Sequence, residues 1–212
     1  IGASLGGVLA AWRAAQAGCH VTLVAAHPWL GGQMTAQGVP PDEHPLIELG
    51  GASASYLAFR EDIRRLYRAQ PGFRDRATLT PGTNPGDGWV SRLCFEPVHA
   101  ARWFEQVLAP ACAQGRLRLL RGWHLRAAQR QGPQVTAVEL EGPEGQRLSL
   151  QAQVFVDATD TGDLIHQLGL PYRLGKEGRA DFGEPDAPEQ PDPLDQQPVT
   201  HVMALRQQAE PG

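Results

Sequence analysis

The chain opens on Gly2-Ala3-Ser4-Leu5-Gly6-Gly7, a turn of small residues that runs directly into a helix-forming stretch and then into the apolar run His20–Val24. Turn, helix and buried strand in that order read as most of a βαβ unit. Ala, Leu and Arg favour the helix, and Gly18 stands where a left-handed glycine would end it. The strand that should feed the turn is expected upstream of Ile1, so the chain reads as a fragment whose two ends cut through structural elements.

The turn fits a G-x-S-x-x-G pattern, with Ser4 at the second glycine of the dinucleotide fingerprint. Gly2 permits a tight strand-to-helix turn. A small residue at Ser4 lets backbone amides approach a diphosphate, and its hydroxyl can itself donate to a phosphate oxygen. Gly7 lets the helix pack close to the strand, and Gly6 adds to the open face of the turn. The helix start supplies unpaired N–H donors and the positive end of the dipole. The acid that usually holds the ribose about 20 residues further on is missing. The strand ends Val24-Ala25-Ala26-His27, which puts Ala25 where that acid would sit. Two readings follow: the ribose is held by other groups, or the pocket is open to a 2′-phosphate with His27 nearby, which would mean NADP.

Downstream, residues 25–52 read as loop. A helix is predicted over Ser55–Ala69, with Tyr56, Phe59, Ile63, Leu66 and Tyr67 on one stripe. Gln70–Gly88 is a turn-rich loop. A second helix, Pro97–Cys112, presents Val98, Ala101, Phe104, Leu108 and Ala111. Three strands, Arg116–Arg130, Gln134–Leu140 and Arg147–Val156, are expected to form an antiparallel meander whose last strand ends buried at Val154-Phe155-Val156. Residues 183–198 read as a linker, and Val199–Leu205 as the start of a new strand. The predicted fold is α/β: a Rossmann-like parallel sheet with a three-stranded β-meander and a helical insertion. Residues 1–170 form one domain with its insertion at about 40–95, and 171–212 begin a second.

Composition narrows the function classes. The 19 Lys and Arg are scattered among 23 acids for a net charge of −4, so nothing favours nucleic acid as a partner. No stretch has the roughly 20 apolar residues of a membrane span. Cys19, Cys94 and Cys112 form no zinc-type pair, so no metal is expected, and their odd number argues for a reducing, cytoplasmic setting. The expected partner is a small-molecule substrate, and the sequence carries no signal for oligomeric state.

Four stretches, in order, resemble the Rossmann-type FAD-dependent oxidoreductases with the glutathione-reductase style of flavin binding. They are Gly2–Gly7; Pro28–Gly38 (PWLGGQMTAQG); the helix and meander over Pro97–Val156; and Asp157–Leu164 (DATDTGDL). The resemblance implies FAD as cofactor. It places Gly31, Gly32 and Gln33 beside the diphosphate and ribityl chain, and leads Thr35 to Gly38 towards the flavin ring. It sets the adenine edge near Leu125 and gives Ala158, Thr159, Gly162 and Asp163 to the segment that closes over the dinucleotide. The implied chemistry is hydride transfer from an organic substrate, with electrons passed to a further acceptor. The rivals are an NADP-binding reductase and a non-catalytic scaffold that keeps the fold.

No residue earns a catalytic assignment. Cys94 and Glu96 read as a buried packing residue and a helix-start acid. His44, in Pro-Pro-Asp-Glu-His-Pro, reads as a base near the flavin or as part of a solvated turn. Arg60, Arg64, Arg65 and Arg68 share a helix with Glu61 and Asp62 and read as a solvated face. Trp29 and Trp89 are expected to pack.

Overall fold

The computed structural model describes residues 1–39, 41, 44, 46–75, 82–198 and 202. In chain order the elements are α1 (Leu5–Gln16), β1 (Val21–Ala25), α2 (Gln33–Ala36), α3 (Ala54–Arg68), α4 (Pro97–Ala113), β2 (Leu117–Arg121), β3 (His124–Gln131), β4 (Gln134–Glu141), β5 (Arg147–Leu150), α5 (Asp163–Gln167) and α6 (Arg179–Phe182). The fold is α/β, with a parallel sheet of β1 and β2 and an antiparallel β3-β4-β5 meander.

Helix α1 ends as its sequence predicts. Gly18 has φ +93°. Its amide donates to Ala15 C=O and that of Cys19 to Ala14 C=O, so two otherwise orphaned carbonyls are satisfied. On β1 the side chains alternate. Leu23 and Ala25 enter a core built with α1, α3 and α4, while Val24 enters a second core under the meander. Residues 1–2 lie between β1 and the 156–158 segment. Gly2 N–H donates to Val24 C=O at 3.0 Å, Ile1 N to Val156 C=O at 2.8 Å, and Ala158 N–H to Ile1 C=O at 2.7 Å, the offset pattern of a parallel pair.

Two predicted strands are each split. The stretch read as one strand, Arg116–Arg130, breaks at Gly122, which has φ +69°. Its first half is β2, running parallel to β1 with Val21 opposite Leu117 and Ala25 opposite Arg121. Only its second half, β3, opens the meander. The stretch Arg147–Val156 also divides: β5 stops at Leu150, and the chain returns to lie beside Ile1. The expectation of a buried Val154-Phe155-Val156 is therefore wrong for its outer residues. Val154 and Val156 are exposed, and Phe155 alone packs on the second core. Residues 25–52, read as loop, contain the single helical turn α2. The predicted strand Val199–Leu205 falls outside the described residues except for Val202.

Helices α3 and α4 and the loops beside them are held by aromatic rings and an ion cluster. Phe59 of α3 stacks on Phe104 of α4 with centroids 6.2 Å apart, and meets Trp103 edge-on at 5.1 Å. The buried stripe of α4 is wider than predicted, taking in His99, Ala100 and Trp103. The reading of α3's arginines as one solvated face needs correcting. Arg65 is 70% exposed, but Arg60 is only 1% and Arg64 only 13% exposed. Both guanidinium groups donate to the Glu48 carboxylate, and Arg64 also bonds the carbonyls of Thr83 and Arg92. One acid thereby ties the 46–50 turn and the 83–92 loop to α3, because a carboxylate can accept two guanidinium forks at once. Trp29 and Trp89, expected to pack, are largely exposed.

The Arg64 hydrogen bond, assisted by Arg60 and opposed by burial, holds the Glu48 carboxyl at about 2, below its ordinary 4.5. A lowered folded-state value means that the stabilisation is complete above the ordinary value and drains away as pH falls towards the folded one. Replacing Glu48 with Gln is expected to cost roughly 3 kcal/mol at neutral pH. In urea unfolding of the two proteins, that difference should shrink towards zero as pH falls from 4.5 to about 2; a gap independent of pH would refute the ion cluster.

Candidate functional site

Three of the small-residue segments meet at the start of α1. Gly31 N–H donates to Ala3 C=O at 2.9 Å, and Ser4 and Gly31 form a parallel bridge. Gly2, at φ +92°, lies so close to the third segment that a Cβ there would sit 2.2 Å from Ala158 O and 2.4 Å from Thr159 N. A Cβ on Gly7 would fall 2.3 Å from Gly2 O, and one on Gly32 would lie 2.9 Å from Ser4 Cα. At Gly31, φ +109°, the obstacle is the Phe104 ring, 2.3 Å from where a Cβ would stand. Nearby main chain requires glycine at positions 2, 7 and 32 and the Phe104 ring requires it at 31, while positive φ adds to the requirement at 2, 31 and 32. Gly6 differs: a Cβ there would meet only Ser4 Oγ, at 4.0 Å.

Ser4 is the N-cap of α1, and its Oγ accepts the Gly7 N–H at 3.4 Å. The hydroxyl hydrogen is left to donate outward. Val8 N–H is taken by Ser4 C=O, while the amides of Leu5 and Gly6 have no intrahelical acceptor, as the first turn of any helix requires. The mouth of α1 thus offers donors and positive dipole where the three segments meet, with the Asp160 carboxylate beside Gly32, 3.4 Å from where a Cβ there would stand.

The Asp157–Asp163 loop is organised by one carboxylate that the sequence reading passed over. Asp157 Oδ1 accepts the Thr159 amide at 3.0 Å and the Thr159 hydroxyl at 2.8 Å; Oδ2 accepts the Ile165 amide at 2.9 Å. Thr159 Oγ1 in turn accepts the Asp163 amide at 2.8 Å, and Gly162, at φ +70°, makes the bend into α5. Burial pushes the Asp157 carboxyl up, but the hydrogen bonds from Ile165 and Thr159 outweigh it and hold it below its ordinary value. An Asp with Thr two residues on is the local signal for such a turn.

Beside this loop a cleft of about 280 Å³ opens between the Gly2 turn, the end of β1 and the start of β3. Leu125, Thr159 and Asp163 line it, as predicted site residues, together with Trp123, His124 and Arg126. Val24 and Ala26 also line it, whereas Ala25 is turned into the core. The period of two on β1 therefore puts Ala26, not Ala25, at the place where a ribose-binding acid would face the cleft. Arg126 is clamped by both oxygens of Glu141, at 2.9 and 3.1 Å. Hydrogen bonds from Arg126 chiefly, against some desolvation and with help from the charges of Arg126, Arg147 and His124, keep the Glu141 carboxyl below its ordinary value.

Other expected residues stand apart. Gln33 is exposed at the start of α2. Thr35 turns inward, its hydroxyl donating to Leu30 C=O at 2.9 Å. His27 is exposed and does not line the cleft. His44 is exposed and accepts the Leu46 amide within its own turn; its neighbours Asp42 and Glu43 lie outside the described residues. Cys94 is buried, and all three cysteines are free thiols. Glu96 precedes α4 but caps nothing with its side chain, which accepts the Tyr67 hydroxyl. Among the described residues there is no metal-holding cluster, and no helix is long and apolar enough to cross a membrane.

Residues 1–210 match the FAD dependent oxidoreductase family, and the chain belongs to it. FAD is the cofactor of that family, and redox chemistry its activity. No curated protein matches the sequence. Similar solved structures include CabE, an aromatic hydroxylase from angucycline biosynthesis (19% identity, TM-score 0.45, 83% of this chain and 34% of that one). The myxobacterial chondrochloren halogenase CndH gives 16% identity and TM-score 0.43 over 74% and 36% of the two chains. The lysine monooxygenase NbtG from Nocardia farcinica gives 17% and 0.38 over 84% and 50%. The chain thus spans between a third and a half of the length of these proteins.

Adjacent glycines at the turn separate two roles. Gly6→Ala should stabilise by up to about 1 kcal/mol, since helix propensity rises and nothing is struck. Gly7→Ala should destabilise by roughly 2–3 kcal/mol because its methyl group meets the Gly2 carbonyl. Urea unfolding midpoints of the two variants should move in opposite directions; equal shifts would disprove the close contact.

Proposed function

We propose that residues 1–170 form the dinucleotide-binding part of an FAD-dependent oxidoreductase acting on a small organic substrate. Residues 40–95 are its insertion, and 171–212 lead into a substrate-binding domain. The observation that carries this reading is the meeting of Gly2–Gly7, Gly31-Gly32 and Ala158-Thr159 at the start of α1, where the first amides have no intrahelical acceptor. FAD, when bound, would supply the acceptor for a hydride taken from the substrate and pass the electrons on.

The residues of the chain bind and orient. The amides of Leu5 and Gly6 and the Ser4 hydroxyl face the diphosphate, favoured by the dipole of α1. Gly31 and Gly32, kept small by Phe104 and Ser4, let the main chain run along the ribityl side, with Gln33 at its exposed edge. The backbone of Leu125 meets the adenine edge in the cleft beside Trp123. Ala158 closes on the turn, and Thr159, Gly162 and Asp163 cover the dinucleotide, held by Asp157.

The NADP reading is less well supported. A 2′-phosphate needs an available cation, yet Arg126 is already paired with Glu141, and His27 lies off the cleft. The scaffold reading predicts a colourless full-length protein.

Gly6→Glu tests the assignment without disturbing the fold. A glutamate in the first turn suits the dipole of α1 and has open space, but it puts a negative charge where the diphosphate should lie. The full-length protein should show flavin absorbance in the visible range, and this variant should lose it while unfolding, flavin-free, at a urea concentration no lower than that of the flavin-free wild type. Retention of flavin by the variant would overturn the diphosphate placement.

A further inference from the structure

We propose that Asp163 supplies, from across the cleft, the carboxylate that holds the ribose hydroxyls of the adenosine half of FAD, taking the place of an acid at the end of β1. This rests on the FAD reading above and assigns a specific group within it.

The argument begins with the strand. Val24 and Ala26 face the cleft, and Ala25 does not, so position 26 is the one from which β1 could present an acid, and it is alanine. Among the described residues that line the cleft, Asp163 alone bears a carboxylate. It shares that cleft with Leu125 and Ala26, which mark the adenosine end. Its Oδ1 accepts the Thr161 hydroxyl, and its other oxygen has no donor among the described residues. The carboxylate is also held in place. The Asp163 amide is bonded to Thr159 Oγ1, and Thr159 is bonded twice to Asp157, which joins the chain to the residues beside Ile1. Arg126, the cleft's arginine, makes no ion pair with Asp163; it gives Nε and Nη2 to Glu141 instead.

A vicinal diol presents two O–H donors, and an ionised carboxylate accepts only, so the two match. The same charge repels a phosphate on the 2′-oxygen. Asp163 would therefore select an unmodified ribose, which is what FAD carries.

The test uses the full-length protein stripped of flavin, with FAD, ADP, 2′-deoxy-ADP and 2′-phospho-ADP as probes by calorimetry and flavin fluorescence. The wild type should bind ADP about 10- to 100-fold more tightly than 2′-deoxy-ADP, the range of a hydrogen bond to a charged acceptor, and should disfavour 2′-phospho-ADP. Asp163→Asn, nearly the same shape, should remove most of that ratio. Adding Ala26→Glu to it should restore the ratio from the β1 side, which a purely structural role for Asp163 would not allow. An unchanged ratio in Asp163→Asn overturns the inference while FAD binding stands. A wild type that binds neither FAD nor ADP overturns the cofactor reading itself, and this inference with it.

Discussion

At Gly2 the main chain of the opening turn passes so near the Ala158 carbonyl and the Thr159 amide that no β-carbon fits between them. That approach aligns residues 1–2 between β1 and the 156–158 segment, and it decides where α1 begins. Gly7 repeats the constraint one turn along the helix, pressing α1 onto the Gly2 carbonyl. The donors at the helix start, the floor of the cleft and the position of the Asp157–Asp163 loop all follow from these two contacts. Because they involve backbone on both sides, no rotamer change can relieve a substitution.

The second support comes from α3 and α4. Phe104 stands directly behind Gly31, Phe59 and Trp103 pack against it, and Phe95 backs Phe59, so the aromatic cluster sets the path of the Gly31-Gly32 bend. The Glu48–Arg60–Arg64 cluster anchors the 46–50 turn and the 83–92 loop to α3. Burying two guanidinium groups is costly unless each is paired and hydrogen-bonded. Here one carboxylate and two backbone carbonyls contribute that pairing, and the result is a fixed set of loops beside α3.

Much of this was legible in the residue order. The glycine turn, the Gly18 stop, the stripes of α3 and α4 and the sites of the hairpin turns are local signals, set by φ preference and by periods of two or 3.6. The four motif stretches carried the family. What could not be read was partnership. Arg116–Arg130 looks like one strand, yet Gly122 sends its halves to different sheets. Arg60 and Arg64 look like solvent-facing neighbours of Arg65 and Arg68, and only their distance in space from Glu48 separates them. Asp157 appears in the sequence as a motif's first letter, with nothing to show that it bonds to both ends of the loop it begins.

By itself, then, the amino-acid order determined which stretches must be small, which must be helical and which strand must be buried, since these are properties of single residues and their near neighbours. Tertiary structure alone decided that three small-residue stretches far apart in the chain share one space, and that Ala26 rather than Ala25 looks into the cleft. It also decided that a carboxylate on α5 lines that cleft where β1 has none. Such outcomes depend on strand register and on side chains meeting across long separations, which local preference does not encode.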